Sequence, residues 1–116
     1  MPNGLTHKQQ SQYQRDEILF PLPVLSTWKA TQFLEHCNDL EMGLGGKPKA
    51  IELTQMHLHF RWAYNIVKHE KIVDAVEGVL GLNVVAWSTS IFSKCPLDPS
   101  YISWHQDGTY WGLDSP

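Results

Sequence analysis

The sequence predicts an α+β domain, and three observations predict it. Apolar residues recur at helical spacing in two separate stretches, strand-like alternation takes over after Asn83, and clusters of Gly and Pro divide the chain into short elements. The resulting order is loop, helix, mixed segment, helix, strand, loop, strand. Helices first and strands gathered at the end fit an α+β domain, or the opening of a β-rich one, because two strands alone do not make a stable sheet.

Each element has a local reason. Residues 1–17 are polar and read as a loose N-terminal segment, followed by a domain over 18–116. Residues 18–25 are apolar but interrupted by Pro21 and Pro23, which forbid a regular helix and a central strand, so an extended lead-in is expected. Ser26 is a suitable N-cap, and Ala30, Phe33, Leu34, Cys37 and Leu40 follow at helical spacing, giving a helix near 27–42 that ends at Gly43, Gly45, Gly46 and Pro48. Lys29 stands where a capping box requires Glu or Gln, so the cap is one-sided. Residues 56–67 alternate like a strand in their first half and pair like a helix in their second. Ile72, Val73, Val76, Val79 and Leu80 form an amphipathic stripe, and Gly81 stands at a C-terminal capping position, so a helix is expected near 69–80. From 83 to 94, Val85, Trp87, Thr89 and Ile91 alternate with Val84, Ala86, Ser88, Ser90 and Phe92, the pattern of a long strand. Pro96, Asp98 and Pro99 mark a loop, and Tyr101 opens a second strand.

Composition narrows the function. The 116 residues carry 12 acidic and 9 basic side chains, a net charge of −3, with no basic cluster to hold nucleic acid or an anionic membrane. No stretch has the apolar length of a signal peptide or a membrane span, so a soluble cytoplasmic protein is expected. Two cysteines without CxxC spacing read as reduced thiols. Cys37 falls on a helix stripe, where packing explains it. Cys95, in the loop before the last strand, is a weaker candidate for a metal ligand.

The residues with the clearest chemistry are His105 and Asp107. On an extended strand, side chains two apart share a face, so an imidazole and a carboxylate there can hold one ion together. They would be two of the three ligands of a non-haem Fe(II) facial triad, a site that leaves positions open for small molecules. A lone His-x-Asp is common by chance, and its flanks make it specific.

Trp104-His105-Gln106-Asp107-Gly108, followed by Tyr110-Trp111-Gly112-Leu113 and preceded by Ser93-Lys94-Cys95-Pro96, resembles the iron-binding signature of the phytanoyl-CoA dioxygenase family. The likeness is nearest to the branch with hydroxylases and halogenases of natural-product biosynthesis. It spans most of 16–116, and its specific part is the last quarter. The resemblance implies a double-stranded β-helix (jelly-roll) fold, of which this chain would hold the N-terminal helices and first strands. It further implies Fe(II), 2-oxoglutarate as co-substrate, molecular oxygen and a small organic substrate whose unactivated C–H bond is hydroxylated. His105 and Asp107 match the first two iron ligands. Gln106 stands where the family borders 2-oxoglutarate, although on an ideal strand its side chain points away from the metal. Ser90 matches a co-substrate position only by its spacing before the Lys-Cys-Pro element.

The family's second His ligand and its 2-oxoglutarate-binding Arg lie well downstream of His-x-Asp, and the chain has nine residues after Asp107. An incomplete N-terminal piece of a larger enzyme, inactive alone, is therefore expected. In the halogenating members a small residue replaces the carboxylate so that chloride can reach the iron, and Asp107 thus favours hydroxylation over a related halogenase. A non-catalytic, partner-binding chain is the competing reading. His57 and His59 form a second pair two apart, read chiefly as structural because no carboxylate accompanies them. Trp87, Trp104 and Trp111 are divided between core and substrate pocket, and Lys94 is read as a solvated loop residue.

Overall fold

A computed structural model describes residues 4–46, 53–94 and 96–111 of the chain. Its elements are all helical: α1 His7–Asp16, α2 Thr27–Gly43, α3 Met56–His59, α4 Arg61–Val67, α5 Glu70–Leu80 and α6 Gly108–Trp111. No helix among the described residues is long and apolar enough to cross a membrane.

α1 occupies the segment expected to be loose. The Thr6 hydroxyl accepts from the Gln9 backbone N–H at 3.3 Å, while the Gln9 side chain accepts from the Thr6 N–H at 2.9 Å. This reciprocal capping box satisfies two donors at a helix start and outweighs the polar composition. α2 begins as its sequence requires, with the Ser26 hydroxyl accepting from the Lys29 N–H at 3.3 Å. α5 ends at Gly81, whose φ of 88° suits only glycine comfortably and whose N–H donates to Glu77 O at 2.9 Å. Both helices lie within a residue of their expected bounds.

The two expected strands do not form, and with them falls the jelly-roll start of an α+β domain. Among the described residues there is no β-strand or sheet. From 83 to 94 the chain runs without helix, turn or bend, as a single strap whose backbone forms no ladder with any other described segment. A strand is defined by its partner, and alternation sets only the course of the backbone and the direction of its side chains. The same correction applies to 101–106, which form no strand and run without a bend into the turn before α6. Residues 56–59, where alternation favoured a strand, form one helical turn.

The core is small. Among the described residues Leu5, Met56 and Ala63 are the buried apolar ones, with Met56 only 2 % exposed, whereas Trp28, Leu34, Val85, Phe92 and Trp104 face solvent. Leu5 packs on α5 at Gly78, where a Cβ would stand 3.2 Å from the leucine's Cγ and Cδ1, so glycine permits the close approach. The Gln10 amide secures the same crossing by donating to Gly78 O at 2.9 Å. α2 meets α4 through the His36 and Trp62 rings, stacked with centroids 5.7 Å apart. A radius of gyration of 16.3 Å exceeds the roughly 13 Å of a compact chain of this length, as the strap and the sparse core require.

Because Leu5 carries the α1–α5 contact, Leu5→Ala is expected to lower stability by about 2–3 kcal/mol. Leu34→Ala, on an exposed position of α2, is expected to change it by less than about 0.5 kcal/mol. Urea unfolding followed by circular dichroism measures both.

Candidate metal centre

The strap is fastened where α3 begins. The first turn of a helix has backbone N–H groups without internal partners, and the Gln55 side chain does not cap them. Thr89 does so from 32 residues further on: its carbonyl accepts from Met56 N at 3.3 Å and its hydroxyl from His57 N at 3.0 Å. The same hydroxyl lies 2.8 Å from His57 Nδ1. Gln55 itself holds a left-handed backbone (φ 57°), a conformation costing about 1 kcal/mol without glycine, and its side-chain amide donates to Trp87 O at 3.3 Å. Further along, Ser93 Oγ donates to the Glu41 carboxylate at 2.9 Å and ties the strap to α2.

Beyond the strap the chain closes a small loop. The Lys94 ammonium donates to Ser100 O, and the Asp98 carboxylate accepts from Ser100 N at 2.8 Å. Lys94 thus closes a loop, where a merely solvated role was expected. The chain then runs straight to His105, turns at Asp107 and enters α6, whose Trp111 ring stacks on Trp87 at 5.2 Å with an interplanar angle of 18°. His105 and Asp107 therefore lie on a segment pinned at both ends.

The pair itself has a definite polarity. His105 Nδ1 is 2.8 Å from Ser103 O, and a carbonyl only accepts, so Nδ1 carries a proton and donates it. That leaves Nε2 to face Asp107 Oδ1 at 3.2 Å. A nitrogen and a carboxylate oxygen at this distance fit either a hydrogen bond from the imidazole to Asp107 or two donors turned to one ion. Neighbouring ligands at right angles, each about 2.1 Å from an ion, are separated by about 3.0 Å, so the observed spacing suits two adjacent positions of a metal site. A backbone carbonyl orienting the imidazole through its other nitrogen is a common second partner of metal-bound histidine. Nitrogen and carboxylate oxygen are a donor set suited to Fe(II) and its neighbours. The residues fit two ligand positions, and the side chains are 39 % and 71 % exposed, open to an ion from solvent.

The other candidates divide. Among the described residues no group of three His, Cys, Asp or Glu side chains is gathered to hold an ion. Ser90 and Gln106 are exposed, and neither belongs to the contacts that define the pair. His57 and His59 sit on one helical turn, about 200° apart around its axis, so they face away from each other. Cys95 lies outside the described residues. Cys37 is half-buried, and burial, with Glu41 beside it, raises its thiol pKa above the ordinary range, which suits packing better than chemistry. Trp104 is fully exposed, while the Trp87 and Trp111 rings stack on each other. Sequence reasoning missed Thr89 and Ser103. Only strand alternation marked the first, and the second contributes a carbonyl that any residue possesses.

No family model, curated protein or solved structure matches this chain.

Thr89→Val removes the hydroxyl that caps α3 while keeping the side-chain shape. It is expected to cost about 1–2 kcal/mol and to speed amide exchange at His57 without altering exchange in α5. Cys37 is expected to alkylate more slowly at neutral pH than a free thiol, because less of it is thiolate.

Proposed function

We propose that this chain carries two protein ligands of an Fe(II)/2-oxoglutarate-dependent dioxygenase centre, His105 and Asp107, of the phytanoyl-CoA dioxygenase type. The supporting observation is the pair's geometry, with Nε2 and Oδ1 3.2 Å apart and the imidazole oriented by Ser103 O. The Trp104-His105-Gln106-Asp107-Gly108 context adds the family likeness. The substrate is a small organic molecule with an unactivated C–H bond, hydroxylated with molecular oxygen. When bound, the metal supplies the oxidation chemistry together with 2-oxoglutarate. The chain's part is to present the two ligands adjacent to each other, and Asp107 holds a position that a chlorinating enzyme leaves for halide. Gln106 and Ser90 are carried as co-substrate contacts on the family likeness alone. A third donor and a cation for the far carboxylate of 2-oxoglutarate come from outside the pair. The reducing cytoplasm, where iron stays ferrous, is the compartment this chemistry needs.

The test is anaerobic titration of the chain with Fe(II), read by calorimetry, beside His105→Ala and Asp107→Ala. Each substitution is expected to weaken binding by at least about 10- to 100-fold. Affinity is also expected to fall as the solution is acidified, since a proton competes for Nε2. Wild-type affinity equal to that of both variants would overturn the assignment of these ligands. 2-oxoglutarate added to the ferrous protein should give a visible charge-transfer band, and its absence would overturn the co-substrate.

A further inference from the structure

We propose that the strap over 83–93 is a self-recognition element, pairing antiparallel with the strap of a second copy of this chain. This proposal stands independently of the metal centre. In an extended segment the N–H and C=O of one residue point to the same edge, and successive residues alternate between edges. The carbonyls of Trp87 and Thr89 both turn toward α3, where Gln55 and Met56 donate to them. Odd-numbered residues therefore address the covered edge. Val84, Ala86, Ser88, Ser90 and Phe92 address the opposite edge, and among the described residues no backbone group of these five has a hydrogen-bond partner.

What covers that edge is argued from charge and register. No charged residue and no proline lies between Leu82 and Ser93, so the segment lacks the devices that keep exposed edges apart and meets no like-charge repulsion from itself. A two-fold axis at Ser88 places Ala86 opposite Ser90 and Val84 opposite Phe92. All five residues then exchange both backbone groups with the partner, about ten hydrogen bonds in all. In that register the exposed Val85 comes opposite Ile91, Trp87 opposite Thr89 and Phe92 opposite Val84 of the second copy. On the other edge the Trp87 and Thr89 carbonyls already accept from Gln55 and Met56, which interrupts that edge at its middle, so assembly closes at two copies and does not propagate.

Sedimentation equilibrium of the chain is expected to show a monomer–dimer equilibrium. Ser88→Pro and Ser90→Pro each delete a donor on the open edge and should weaken dimerisation at least tenfold. Val85→Pro, which deletes a donor on the covered edge, should leave it within about threefold. Far-UV circular dichroism checks that the helices persist in each variant. Should a variant lose them, amide exchange of the unaltered chain decides: 84, 86, 88, 90 and 92 gain protection with concentration, and their odd neighbours do not. A monomer at every concentration, growth beyond two copies, or indifference to the parity of the proline would each overturn the proposal.

Discussion

The C-terminal half of this structure depends on one side chain, Thr89, capping a helix that it does not belong to. A helix start needs acceptors for its first N–H groups, normally supplied by the preceding residue. Gln55, in a left-handed backbone, does not supply them, and Thr89 brings a carbonyl and a hydroxyl to Met56 and His57 instead. The exchange serves both partners. α3, a single turn too short to persist alone, gains an N-terminal cap, and a strap without a sheet gains a fixed register against the helices. From that fixed register follows which edge of the strap is open.

Sparse burial explains why fastenings of this kind carry so much of the architecture. With Leu5, Met56 and Ala63 as its buried apolar residues, the fold draws little from the hydrophobic effect, which ordinarily dominates. Its long-range order comes from single polar links: Gln10 to Gly78, Gln55 to Trp87, Thr89 to His57 and Ser93 to Glu41. Each contributes about 1 kcal/mol net, so the links add up to a shape without a deep stability well. Covering the strap's apolar side chains would strengthen such a molecule more than improving any one link.

The sequence was legible where structure is local. Ser26 and Gly81 mark helix ends because their physics involves neighbours within four residues, and α2 and α5 fall where the stripes place them. α1 was equally legible, since Thr6 and Gln9 spell a capping box, but its polar composition hid it. The strap was half legible. Alternation from Val84 to Phe92 gave an unbent course, while a sheet needs a second segment that alternation cannot supply. His57 and His59 failed as a pair for the related reason that side chains two apart share a face only while the backbone is extended, and theirs is helical. His105 and Asp107 are brought together because their backbone runs straight up to the turn.

That turn connects the candidate centre to the rest of the chain. Asp107 is the last residue before α6, and α6 reaches back to the strap through the Trp111–Trp87 stack. Trp87 is in turn fixed by its carbonyl bond to Gln55. An ion held between Nε2 and Oδ1 would set the geometry of the turn, and the turn sets where the Trp111 ring meets Trp87. The strap and the segment that carries His105 and Asp107 are thus joined through two aromatic rings. A residue's place in such a network depends on what its backbone neighbours fasten. Ser103, contributing only a carbonyl, accordingly orients the imidazole that faces Asp107.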